Sequence, residues 1–161
     1  DSYCGTPPYT PGADDNASGT AMALELARRF DQRRRAAGAT PWRRALRFVF
    51  FANEEPPYFQ TAAMGSLIYA QQAQQKGERI AAMLSLETLG YYRDEPGSQT
   101  YPYGIDRFLD LPVRGDFLAC AANLDSRAPM VEVVDAFRRG TALPADGLAA
   151  PFRPNRSSRI R

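Results

Sequence analysis

Two continuous apolar runs and three stretches of helical spacing organise this chain. Residues 46–52 (LRFVFFA) and 80–86 (IAAMLSL) are short, apolar and punctuated at both ends, the pattern of strands buried on both faces. The first stops at Asn53-Glu54-Glu55, followed by Pro56 and Pro57, which extend neither a strand nor a helix. The second stops directly at Glu87. Ahead of them, Ala21, Leu24, Ala27 and Phe30 recur at helical spacing and predict a helix over about residues 17–35. Asp14 and Asp15 stand at its N-terminus, where the helix dipole favours acids, and Gly38 and Pro41 lie beyond its end. A second helix is expected over residues 65–76, stopped by Gly77. A third strand is expected over 116–122, and a third helix over 129–139 with Pro129 in its first turn. Residues 91–112, with Pro96-Gly97 and Pro102, read as loop. This alternation predicts an α/β fold whose crossovers lay helices on a mostly parallel sheet.

Composition narrows the chemistry more than the fold. The 161 residues include 44% hydrophobic positions, two cysteines and no histidine, which suits one soluble domain. Without histidine there is no Ser-His-Asp triad, no paired-histidine zinc motif and no imidazole base. Cys4 and Cys120 are too few for a four-thiolate zinc site. Any metal held by this sequence sits mainly on carboxylates. No apolar run approaches the roughly 18 residues of a membrane span. The first residue is Asp1 rather than Met, so the true N-terminus is expected further upstream.

Charge is unevenly distributed. Residues 28–47 hold eight arginines against Asp31, a local charge of +7; residues 153–161 carry +4; with +2 overall, −9 is left for the rest. The basic stretch lacks interleaved aromatics and half of it lies on a helix, so a solvated face is favoured over a nucleic-acid or lipid surface. Trp42 within it reads as a packing anchor, and Cys120 as a small buried strand residue.

The acids fall where parallel sheets place their sites. Glu54, Glu55 and Glu87 follow apolar strands at their carboxyl ends, outside which open α/β sheets bind ligands. Asp15, before a helix, reaches the same rim. Converging carboxylates repel one another and call for protons, basic partners or a cation, and hard oxygen ligands suit divalent ions. On pattern alone, helix caps and solvated turns account for these acids equally well.

The runs PGADDNASG (11–19), FFANEE (50–55), MGS (64–66) and LSLETLGYY (84–92) resemble, in order and spacing, the co-catalytic dizinc aminopeptidases of peptidase family M28. That group also contains glutamate carboxypeptidases, glutaminyl cyclases and the metal-free transferrin-receptor domains. The resemblance covers about residues 1–150 and implies a three-layer, zinc exopeptidase-like sandwich, incomplete at both ends. It implies two zinc ions and a peptide substrate. Asp15 takes the place of the aspartate bridging both zincs, typically followed by a cis peptide bond. Glu54 resembles the general base, Glu55 a ligand of one zinc and Glu87 the carboxylate ligand of the other. Asp1 resembles the aspartate that orients a zinc-binding histidine from behind. The implied reaction is hydrolysis of N-terminal residues from peptides, with a single-zinc glutaminyl cyclase or a metal-free binding domain as the rival readings. Family habit suggests a periplasmic or secreted location.

Both zinc-binding histidines of the family are lacking. One is expected just before Asp1, the other soon after Ala150, where residues 151–161 instead form an Arg-rich tail that reads as a shifted translation frame. The chain is thus expected to be a fragment with at most a crippled metal site. Tyr91 and Tyr92 are candidates either for a pocket wall or for covering a sheet edge.

Overall fold

The computed structural model describes residues 11–38 and 43–151. They fall into two compact units, one up to Tyr91 and one from Tyr92 onward, a division that no shift in composition announces.

In the first unit a kinked turn, Ala13–Ser18, non-helical at Asp15 and Asn16, leads into α1, Gly19–Ala36. The half-buried side of α1 runs through Ala23, Leu26, Ala27 and Phe30, with Gly19 buried at its head, whereas Ala21 and Leu24 are exposed. Ala27 and Phe30 of the predicted stripe thus lie on the inner side, and Ala21 and Leu24 do not. Both sets satisfy helical spacing, and at the head of the inner side Gly19 packs against the Leu86 carbonyl. Arginines crowd the C-terminal half, as the dipole prefers, and are held in i,i+3 and i,i+4 pairs: Arg28 and Arg29 on Glu25, Arg34 and Arg35 on Asp31, at 2.7–3.1 Å.

Hydrogen bonds from Arg28 and then Arg29 lower the Glu25 carboxyl from its ordinary 4.5 to about 2. Because the folded group is the stronger acid, its contribution is whole above about pH 4.5 and fades as pH falls toward 2. Helicity followed by circular dichroism should decline across that window. In Glu25→Gln the same decline should be shallower, and the helix weaker at neutral pH.

Helix α2, Gly65–Gln75, ends where expected: Gly77 adopts φ 64° and Glu78 N–H returns to the Ala73 carbonyl at 2.9 Å. Between the helices, residues 46–52 and 80–86 form no ladder and are mostly exposed, including Phe50 at 50% and Met83 at 77%. The expectation of two buried strands is corrected here. A strand exists only against a partner backbone, and among the described residues nothing pairs with either run. The first run is nonetheless held from two sides. Phe48 packs on Phe30 of α1, centroids 6.2 Å apart, and Phe51 meets Tyr69 of α2 edge-on at 5.5 Å. Arg47 donates to the Tyr69 hydroxyl and to the Glu78 carboxylate.

The second unit is a βαβ motif. Strand β1, Leu118–Asn123, pairs in parallel with β2, Ala145–Ala150, in the register Leu118↔Ala145. Helix α3, Arg127–Gly140, connects them. Met130, Val133, Val134 and Phe137 line its inner face at helical spacing, and Val134 and Ala145 are buried. A Cβ on Gly147 would meet the Met130 sulfur and a Val134 methyl, so a larger residue there obliges Met130 to move. Arg138 closes the helix end on the Ala145 carbonyl at 2.8 Å. Cys120 lies half-buried on β1, where burial pushes its thiol pKa up. Val134→Ala should lower stability by roughly 1–3 kcal/mol in urea unfolding, since it strips two methyls from the buried face.

Two helices in one unit and a parallel βαβ motif in the other make this an α/β chain. No described helix is long and apolar enough to cross a membrane.

Candidate active site

Three loops carry the candidate residues. Asp15 lies at the kink of the turn before α1, with φ −104° and ψ 96°, and the Asp15-Asn16 peptide is cis as the family resemblance implied. Glu54 and Glu55 open a run of turns into α2: Tyr58 N–H reaches the Glu55 carbonyl at 2.9 Å, and Pro56-Pro57 is cis. Glu87 follows the second apolar run and accepts from Ser85 Oγ at 2.8 Å. Left-handed residues flank both acids, Asn53 at φ 60° before Glu54 and Thr88 at φ 47° after Glu87.

The first and third loops are tied directly. Asn16 Nδ2 donates to the Leu86 carbonyl at 2.8 Å while its Oδ1 accepts from Gly19 N–H at 3.2 Å. Ser18 Oγ accepts from Leu89 N–H at 2.8 Å, and Asp14 Oδ1 from Gly90 N–H at 2.6 Å. Gly19 lies against Asn16 Oδ1 and the Leu86 carbonyl so closely that a Cβ has no room. Asp15 and Glu87 are thereby each one residue from a shared hydrogen bond.

The second loop joins them electrostatically. Partial burial raises the Glu55 pKa, and the charges of Asp15, Glu54 and Glu87 raise it further. Three carboxylates, one from each loop, thus act on Glu55. Asp15 and Glu87 are exposed, and Glu54 and Glu55 half-buried. Among the described residues no group of three or more Asp, Glu, His or Cys closes to metal-holding distance. The donors fit the carboxylate share of a zinc centre and not its nitrogen share, since the sequence has no imidazole. Asp1 and Cys4 lie outside the described residues, as do Trp42 and residues 152–161. Tyr91 and Tyr92 are 66% and 42% exposed.

Asp14, Asn16, Ser18 and Ser85 were given no role from sequence. No helix or strand period marked the first three, because the kink at Asp15 and Asn16 is what brings them to one neighbour. Nothing local marked what that neighbour was.

Residues 1–112 match peptidase family M28, and the chain belongs to that family. It is 43% identical over 116 residues to the uncharacterized protein YfbL of Escherichia coli (strain K12), a match covering 72% of this chain and 32% of YfbL. The chain therefore spans about a third of the length of that relative. No solved structure matches it.

Proposed function

We propose that the whole protein to which this sequence belongs is a dizinc aminopeptidase that removes N-terminal residues from peptides. The observation that carries the reading is the hydrogen-bonded tie between the loops of Asp15 and Glu87, in a chain of family M28. Asp15, Glu55 and Glu87 are the carboxylates that would hold zinc, which when bound acidifies water and polarises the scissile carbonyl. Glu54 is the general base: its carboxylate takes a proton from the attacking water and delivers it to the leaving amine. Asp1 would orient a nitrogen ligand.

A central layer between helices is part of the same proposal. Phe48 and Phe51 are an odd number of residues apart, so in an extended segment they face opposite sides. One packs on α1 and the other on α2, the arrangement expected of the three-layer sandwich. The arginine-rich end of α1, held by Glu25 and Asp31, is read as a solvated face, and peptide as the partner.

The test is made on the whole protein, with its zinc content measured beside two assays. Release of free amino acid from aminoacyl peptides is the expected result. Pyroglutamate formation from glutaminyl peptides would replace the reading with a cyclase. A zinc-free protein with neither activity would make it a binding domain.

A further inference from the structure

We propose that Asp14, Asn16 and Ser18 are positioning residues, a three-point clasp that sets the turn 86–90 and through it the place of Glu87 beside Asp15. The clasp grips backbone rather than side chains: the Leu86 carbonyl, the Leu89 N–H and the Gly90 N–H, at 2.6–2.8 Å. Two of the gripping groups are themselves fixed. Ser18 Oγ spends its proton on the Asp14 carbonyl at 2.7 Å, which leaves a lone pair for Leu89. Asn16 uses both ends of its amide, on Leu86 and on Gly19.

Between the gripped atoms of Leu86 and Leu89 the chain has only Glu87 and Thr88 in which to turn. Thr88 makes that turn at φ 47°, a left-handed conformation that β-branched residues rarely adopt. Gly90 lies against Asp14 Oδ1 and the Ser18 side chain at 3.0–3.1 Å, measured from where a Cβ would stand. The strain at Thr88 is thus imposed by contacts made 70–76 residues away in sequence. Such strain persists where the surroundings over-determine it, and it concentrates at functional residues. Here the functional residue is Glu87, so the use made of the clasp rests on the peptidase reading, while the clasp itself does not.

Hydrogen exchange by NMR and urea unfolding on the 161-residue chain test it. The Leu89 and Gly90 amides should be protected in the parent. Ser18→Ala should release Leu89 and Asp14→Ala should release Gly90, each at least tenfold, while Ser18→Thr and Asp14→Asn, which keep the acceptor oxygen, restore protection. Thr88→Asn, suited to the left-handed region, should raise the folding constant about tenfold, and less than twofold when combined with Ser18→Ala. Equal exchange in parent and Ala variants, or an equal gain from Thr88→Asn in both backgrounds, would overturn the clasp. Should Ser18→Ala not fold, Thr88→Asn in the parent decides alone, an unchanged or lower stability counting against it.

The positioning role is read in the whole protein. There Ser18→Ala should weaken zinc binding about 10- to 100-fold, with Ser18→Thr within a few-fold of the parent. Unaltered zinc affinity in Ser18→Ala would reduce the clasp to a structural tie. A parent that takes up no zinc would fail the peptidase reading, and the exchange and unfolding results would still decide the clasp.

Discussion

Glu54→Gln in the whole protein should lower kcat by a factor of about 10² to 10⁴ while leaving its zinc content at the parent level. The exchange keeps the size of the side chain and one acceptor oxygen but removes the ability to accept a proton. Glu54 is half-buried beside Glu55 in the turn after the first apolar run, and side chains on successive residues leave the backbone in different directions. One of the two can therefore face the attacking water while its neighbour faces a cation. The proposed ligands Asp15, Glu55 and Glu87 are untouched by the change. Kinetics with metal analysis on the same preparation separate the outcomes. Turnover within a few-fold of the parent would sink the base assignment, and loss of zinc together with turnover would make Glu54 a ligand instead.

The second large effect is structural. Gly19→Ala should destabilise the first unit by about 3 kcal/mol, at the upper end of overpacking costs. The added carbon would meet the Leu86 carbonyl oxygen and Asn16 Oδ1. The first is backbone, and the second belongs to an amide group held at both ends by hydrogen bonds. Neither yields by a rotamer change. Gly140→Ala is the control, because nothing lies within 4 Å of its Cβ position, and it should be neutral within about 0.5 kcal/mol. Urea unfolding read by a probe in each unit distinguishes the two. An equal response at both positions would show that α1 can shift away from the 86–90 turn.

The helices were legible in the sequence because their signals are local. Gly77 and Gly38 end α2 and α1 through the left-handed conformation glycine adopts freely, and Pro129 sits in the first turn of α3. The apolar runs were legible only as a need for burial. Hydrophobicity states that residues 46–52 and 80–86 belong against other chain, but pairing is a property of two segments, and neither run finds a ladder among the described residues. Strand β2 went unread because Asp146 and Gly147 are poor strand formers. Its place is decided by the backbone of β1 and by the room Gly147 leaves for α3.

The candidate site divides the same way. By itself, the sequence determined which chemistry is available: carboxylates in the order and spacing of family M28, and no imidazole. Those are facts of composition and spacing, and no folding alters them. Only the tertiary structure decided which face of α1 is inner, that Asp15 and Glu87 share a hydrogen-bonded turn, and that Glu55 bears the charge of three other acids. The shared turn depends on atoms 70–76 residues apart meeting within 3 Å, and the charge felt by Glu55 on acids 32 and 40 residues away in sequence. The chain pays the entropy of closing such loops only when burial and hydrogen bonds along the whole unit repay it, and no local window of sequence contains that balance.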